Sequence, residues 1–198
     1  MKIQRRCIQV LIDIVMSDLK PAIEVMHCNQ WYEQDVMRLI VGTFEDYGDD
    51  FQKHMCEYVF GKVIGELSDR FVISYVETFK NKNAKFKMPS ATERMRQDLD
   101  MVVGFFSRTR SAKRAKASFE VADKIIGLIE SNPRTLYIDF YSLWKQFPDM
   151  PLDYVEKILS KRDDLDKATI RDIIDQCKQK GIEITKDTPV SIFSKISK

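Results

Sequence analysis

Apolar residues recur along this chain at intervals of three and four, the spacing of helices with one buried face. Ile3, Cys7, Val10, Leu11, Ile14, Val15 and Leu19 form the first stripe. Pro21 lacks an amide donor and crowds the turn before it, so it is expected to kink or restart that helix. A short piece over 21–27 then carries Ile23 and Met26. The next helix is predicted over 31–47, with Trp31, Val36, Leu39, Ile40, Thr43 and Phe44 on one side. Gly48 with Asp49 should close it, because Gly accepts the left-handed backbone that follows a helix end. The longest pattern runs over 50–79, from Phe51, Met55, Tyr58 and Val59 to Tyr75, Val76 and Phe79. As one helix it would be about 45 Å long. Gly61 and Gly65 fall four apart within it and read as close helix packing or a bend.

Residues 81–89 are polar, aperiodic and end in Pro, the pattern of a linker. The chain accordingly divides into an N-terminal helical bundle, 1–80, and a C-terminal one, 90–198. Ser90-Ala91-Thr92-Glu93 has the form of a capping box and opens a helix over 91–107. Further helices are predicted over 119–129, 135–147, 152–159 and 167–180, the last capped by Asp163, Asp164 or Asp166 and closed by Gly181. Residues 182–198 read as a tail, since the strand-like Ile182-Glu183-Ile184-Thr185 has no partner strand. The expected fold is all-α, elongated stacked helical bundles in a rod, with no sheet.

Composition agrees with long helices: only 7 Gly and 6 Pro in 198 residues leave few turns to build. The net charge of +2 hides a segmented distribution. Residues 33–77 hold ten acids against four bases, a balance of −6, and residues 80–118 hold eleven bases against three acids, a balance of +8. An extended scaffold would show this, and so would a small domain with opposite faces. Cys7, Cys28, Cys56 and Cys177 have no regular spacing. With no signal peptide in view, they are expected to be reduced thiols of a soluble, cytoplasmic protein. No run approaches the ~18 apolar residues of a membrane span.

Catalytic signatures are missing. The chain has no GxGxxG, GxxxxGK[ST] or GxSxG, and its two histidines, His27 and His54, stand beside cysteines at spacings that suit neither zinc fingers nor a shared helix face. His27 and His54 are therefore expected on the surface and the cysteines in the interior. The acidic run Glu45–Asp50 fails the spacing of a calcium loop and is expected to flank a helix end. No cofactor or metal is expected, and an enzyme would need a site assembled from dispersed residues. The strongest surface feature is the basic run Arg108, Arg110, Lys113, Arg114 and Lys116. It suits an acidic partner or an anionic membrane surface, or is a solvated helix face. Interleaved aromatics and a recognition helix are absent, so no nucleic acid is expected. Lys80, Lys82, Lys85 and Lys87 would extend the patch if they folded back beside it.

The stretch from Ile138-Asp139-Phe140-Tyr141 through Phe147-Pro148-Asp149-Met150-Pro151, followed by Val155, Ile158-Leu159, Arg162-Asp163-Asp164-Leu165 and Ile173-Ile174, resembles the C-terminal end of the exocyst subunit of the Sec-six type. Asp98-Leu99 with Phe105-Phe106 resembles that family's preceding helix. The resemblance covers about residues 95–178, and the chain before it is compatible. It implies stacked helical bundles in a rod and a non-catalytic vesicle-tethering role in exocytosis. It also implies other exocyst subunits and SNARE machinery as partners, and recruitment to sites of secretion at the plasma membrane. These motifs concern packing and capping and bring no catalytic residue with them. Beside this reading stands that of a peripheral helical module binding anionic lipid through 108–116.

Overall fold

The computed structural model describes residues 2–108, 112–181 and 191–196. They form nine α-helices and a terminal 3-10 turn, with no strand among the described residues: α1 (Lys2–Glu24), α2 (Asn29–Glu33), α3 (Val36–His54), α4 (Glu57–Thr78), α5 (Ser90–Ser107), α6 (Ala112–Glu130), α7 (Leu136–Gln146), α8 (Leu152–Leu159), α9 (Lys167–Lys180) and η1 (Ile192–Lys195). The all-α expectation holds. Helices α1, α3, α4, α5 and α6 pack side by side, with α3 against α5 and α4 against α6. The far end of α6 meets α7, and α7, α8 and α9 pack as a second group stacked on the first. Tyr154 of α8 donates its hydroxyl to the Val76 carbonyl of α4 at 2.9 Å, inside the core.

Aromatic side chains fill the centre of the first group. Phe44 of α3 lies 5.1 Å from Phe71 of α4 and 5.2 Å from Phe106 of α5, and Phe106 lies 5.8 Å from Phe119 of α6, ring centre to ring centre. All four are buried. Each buried ring contributes about 2–3 kcal/mol by leaving water.

Several helix boundaries differ from expectation. α1 continues through Pro21 to Glu24. So close to the helix end, the missing donor removes one bond and nothing downstream depends on it. The helix expected over 31–47 is broken at Gln34–Asp35, where the Asp35 carboxylate accepts from the Arg38 amide at 3.2 Å and caps α3. α3 then runs through Gly48, and the long 50–79 pattern is split at Met55–Cys56, where Met55 is extended. Gly48 lies buried inside α3, where a methyl in its place would make ordinary contact with the Phe105 ring at 3.5 Å. The acidic run Glu45–Asp50 is therefore interior to α3 rather than at a helix end.

α5 begins at Ser90, one residue early, so the capping box does not form. The Ser90 hydroxyl donates back to the Lys87 carbonyl at 2.9 Å, and the Pro89 carbonyl takes the amides of Thr92 and Glu93. Within 81–89, Ala84 and Phe86 are buried. The Phe86 amide donates to the Lys161 carbonyl at 2.8 Å, and its own carbonyl accepts from the Asp163 amide at 3.1 Å. The Lys85 amide donates to the His27 carbonyl at 3.0 Å, and Tyr32 bridges Lys85 and Lys87 through its hydroxyl.

α6 starts at Ala112, well before the predicted 119, and takes Lys113, Arg114 and Lys116 into its first turns. Helices α7, α8 and α9 follow their predicted ranges. Asp166 is the α9 cap, accepting from the Thr169 amide at 2.7 Å, and Gly181 ends the helix at φ +61°. Ile182–Thr185 lie outside the described residues. Residues 191–196 are docked rather than loose: Phe193 is buried against Phe147 and Tyr154, and Asp149 accepts from both the amide and the hydroxyl of Ser191 at 2.8 Å.

Candidate interaction surface

The structure divides the basic run. Arg108, just past the end of α5, donates to Glu45 of α3 at 3.1 Å. Arg114 of α6 donates through Nε to Asp69 of α4 at 3.1 Å and through a second nitrogen to the same carboxylate, whose other oxygen accepts from Ser118 at 2.7 Å. Two cations of the run therefore stitch the bundle together. The acidic 33–77 segment and the basic 80–118 segment meet within one molecule at these points. Arg110 lies outside the described residues.

Lys113 and Lys116 are exposed, and no carboxylate lies within ion-pairing distance of either among the described residues. They stand on the α6 wall of a groove of about 470 Å³ between α5 and α6. Leu99, Val103, Ala117 and Phe119 supply its apolar lining, and Asp100, Glu120 and Asp123 its acids. Glu120 pairs with Lys124 at 2.9 Å, and Asp123 with Arg96, which also holds Glu130 at 3.0 Å. The sequence marked Leu99 and Val103 only as core positions. Their share in an open groove depends on how far α6 is set from α5, which no spacing records.

Lys80, Lys82, Lys85 and Lys87 do not join this patch. They precede the first residue of α5, whereas Lys113 and Lys116 line the groove beside Leu99, Asp100 and Val103, nine to thirteen residues into that helix and about 14–20 Å along it.

Beneath the surface is a polar cluster that the sequence hides. His27 is fully buried, at φ +65°, with its ring 4.8 Å from those of Trp31 and Phe79. Its Nδ1 is 3.0 Å from the Thr78 hydroxyl, and its Nε2 has no partner. Burial pushes the imidazole down to about 3. The expectation of a surface His27 with interior cysteines is reversed: Cys7 and Cys56 are exposed, Cys28 is half-buried, and only Cys177 among the four is buried. The cysteines are free thiols.

Nothing among the described residues forms a group of three or more side chains fit to hold a metal ion. No helix of the described residues is long and apolar enough to cross a membrane.

The motifs that carried the resemblance are joints of the fold. Arg162 is buried, donates to both oxygens of Asp164 at 2.8 and 2.7 Å, and donates to the Ser131 carbonyl at 2.8 Å, which fixes the α8–α9 turn to the end of α6. Phe147 and Asp149 hold the terminal turn, as described above.

Comparison with known proteins identifies the family. The model of the exocyst complex component Sec6 family matches residues 1–167, so the likeness extends to the amino end. The chain is 30% identical over 190 residues to exocyst complex component sec6 of Schizosaccharomyces pombe, spanning 94% of this chain and a quarter (25%) of that protein's length. Its fold matches the crystal structure of the C-terminal domain of the exocyst subunit Sec6p with a TM-score of 0.73 at 16% identity, over 94% of this chain and 50% of that one. The match over 1–167 and the 30% identity over 190 residues lead to one conclusion: the chain belongs to the Sec6 family of exocyst complex components.

Proposed function

We infer that this chain is a non-catalytic helical module that acts in vesicle tethering during exocytosis. It holds other exocyst subunits, and through them or directly the SNARE machinery, at sites of secretion on the plasma membrane. The observation that carries this reading is the family match over 1–167. It is supported by a fold in which the buried charged groups Arg162 and Asp98 are engaged in joining helices.

The test is co-purification. The full chain, tagged and expressed in the cell it comes from, is expected to recover other exocyst subunits. Recovery of none would sink the reading. The peripheral-membrane reading draws on Lys113 and Lys116, but loses Arg108 and Arg114 to internal pairs. It predicts binding to phosphatidylserine vesicles that weakens as salt is raised.

A further inference from the structure

Lys113 and Lys116 are placed against the local electrostatics. They occupy the first turns of α6, where the helix end carries partial positive charge and no acidic residue stands in the first turn. Arg114 beside them is engaged by Asp69, whereas neither lysine has a carboxylate in reach among the described residues. Farther along the same wall, Glu120 and Asp123 are already matched by Lys124 and Arg96. Among the described residues, the groove therefore has two unpaired lysines at one end of its α6 wall and paired acids at the other, with Val103 and Ala117 as its open apolar surface. Asp100 belongs to the α5 wall, so carboxylates of an occupant are directed to the α6 side.

A small anion would leave half-buried Val103 and exposed Ala117 uncovered. A flat bilayer would not enter a groove lying between two helices, whose deepest apolar residues, Leu99 and Phe119, are already 6% and 2% exposed. Lys113 and Lys116 are three apart on a helix and so face the same way, matching carboxylates three or four apart on a facing helix. Resting on the reading of this chain as a holder of other proteins, we propose that the α5–α6 groove docks an acidic amphipathic helix of another protein. Its carboxylates pair with Lys113 and Lys116, and its aliphatic side chains cover Val103 and Ala117.

The probe is a fluorescein-labelled helical peptide with Leu and Glu sharing one face, titrated into the full chain. A peptide with Lys in place of each Glu is run beside it, as are phosphatidylcholine vesicles with and without phosphatidylserine. Two variants alter the groove differently: K113E/K116E reverses its charge, and A117W fills it. The Glu peptide is expected to bind the parent and to lose about tenfold or more in affinity on each variant. The Lys peptide is expected to gain binding to K113E/K116E, a rescue that misfolding cannot produce. Should either variant melt early, K113Q/K116Q takes its place.

Failure of the Glu peptide to bind the parent, equal binding to parent and variants, or lysine-dependent binding to phosphatidylserine vesicles alone overturns the proposal. Exocyst subunits recovered equally by parent and variants would overturn the groove as their contact and leave the tethering reading standing. Peptide binding with no subunit recovered by the parent would overturn the tethering reading and leave the groove.

Discussion

The indole of Trp31 donates to Asp98 at 2.7 Å inside the core, across 67 positions of sequence. The bond ties α2, a helix of only five residues, to the middle of α5. Burial pushes the Asp98 carboxyl up to about 7, with the Trp31 bond and Arg94 acting the other way. His27, tilted against the same indole, is pushed the opposite way to about 3.

These two shifts offset each other. Between the ordinary values of 3.8 for the carboxyl and 6.5 for the imidazole, the unfolded chain carries the proton on His27 and the folded chain carries it on Asp98. Unfolding then takes up no net proton from this pair, and its contribution to the pH slope vanishes. Asp98→Asn leaves His27 alone: stability should rise with pH up to 6.5, by at most about 1.4 kcal/mol per unit. His27→Asn leaves Asp98 alone: stability should fall as pH rises from 3.8 towards 7. Urea denaturation of the three proteins across this range checks it, and equal slopes in all three would refute the pairing.

Arg162→Ala should cost about 2 kcal/mol in urea or thermal unfolding, because three charge-assisted bonds are lost and the Ser131 carbonyl loses its donor. Arg162→Lys should recover little of it, since a single ammonium cannot span both Asp164 oxygens and Ser131. Full stability in the Lys variant would show that charge alone suffices.

Gly48 and Gly61 both lie inside helices, and Ala at either should stabilise by about 0.5–1 kcal/mol through helix propensity. A larger side chain separates them. At Gly48 the Phe105 ring is 3.5 Å from a methyl, whereas at Gly61 nothing lies within 4 Å. Gly48→Leu should lower the melting temperature and Gly61→Leu should not. Equal effects would mean that Phe105 yields.

The basic run should split in a stability assay as it does in space. R108E/R114E sets acids against Glu45 and Asp69 and should lower stability by about 1 kcal/mol, kept modest by solvent around these exposed pairs. K113E/K116E removes no pair and should leave the melting temperature unchanged or slightly raised. A loss in the lysine variant as large as in the arginine one would show that the lysines have partners after all.

The carboxyl-terminal half was the more legible from sequence because its punctuation is chemical. Ser131-Asn132-Pro133, Pro148 and Pro151, Asp166 and Gly181 each stop or start a helix by donors, caps or a left-handed turn, and each acts where it stands. The amino-terminal half breaks where no such mark exists. Met55–Cys56 turns the chain without Gly, Pro or a side-chain cap, and Gly48, which looks like a stop, lies buried inside α3. Of the candidate surface, the five basic residues were visible but their division was not. Whether a cation is spent on Glu45 or left on a groove wall is settled by neighbours on α3 and α4, far away in sequence. His27 was misread for the same reason: one histidine carries no sign of the four aromatic rings that enclose it.

Protein synthesis is vectorial, and that gives the Phe86 strap a temporal meaning. The carboxylate of Asp163 that receives the Met88 amide is made 75 residues after it. While α1 to α5 leave the ribosome, the outward amide and carbonyl of Phe86 have nothing from 161–163 to meet. Helices α1 to α5 therefore carry an unfinished edge until Lys161 to Asp163 have been made, an edge open to other partners during that interval.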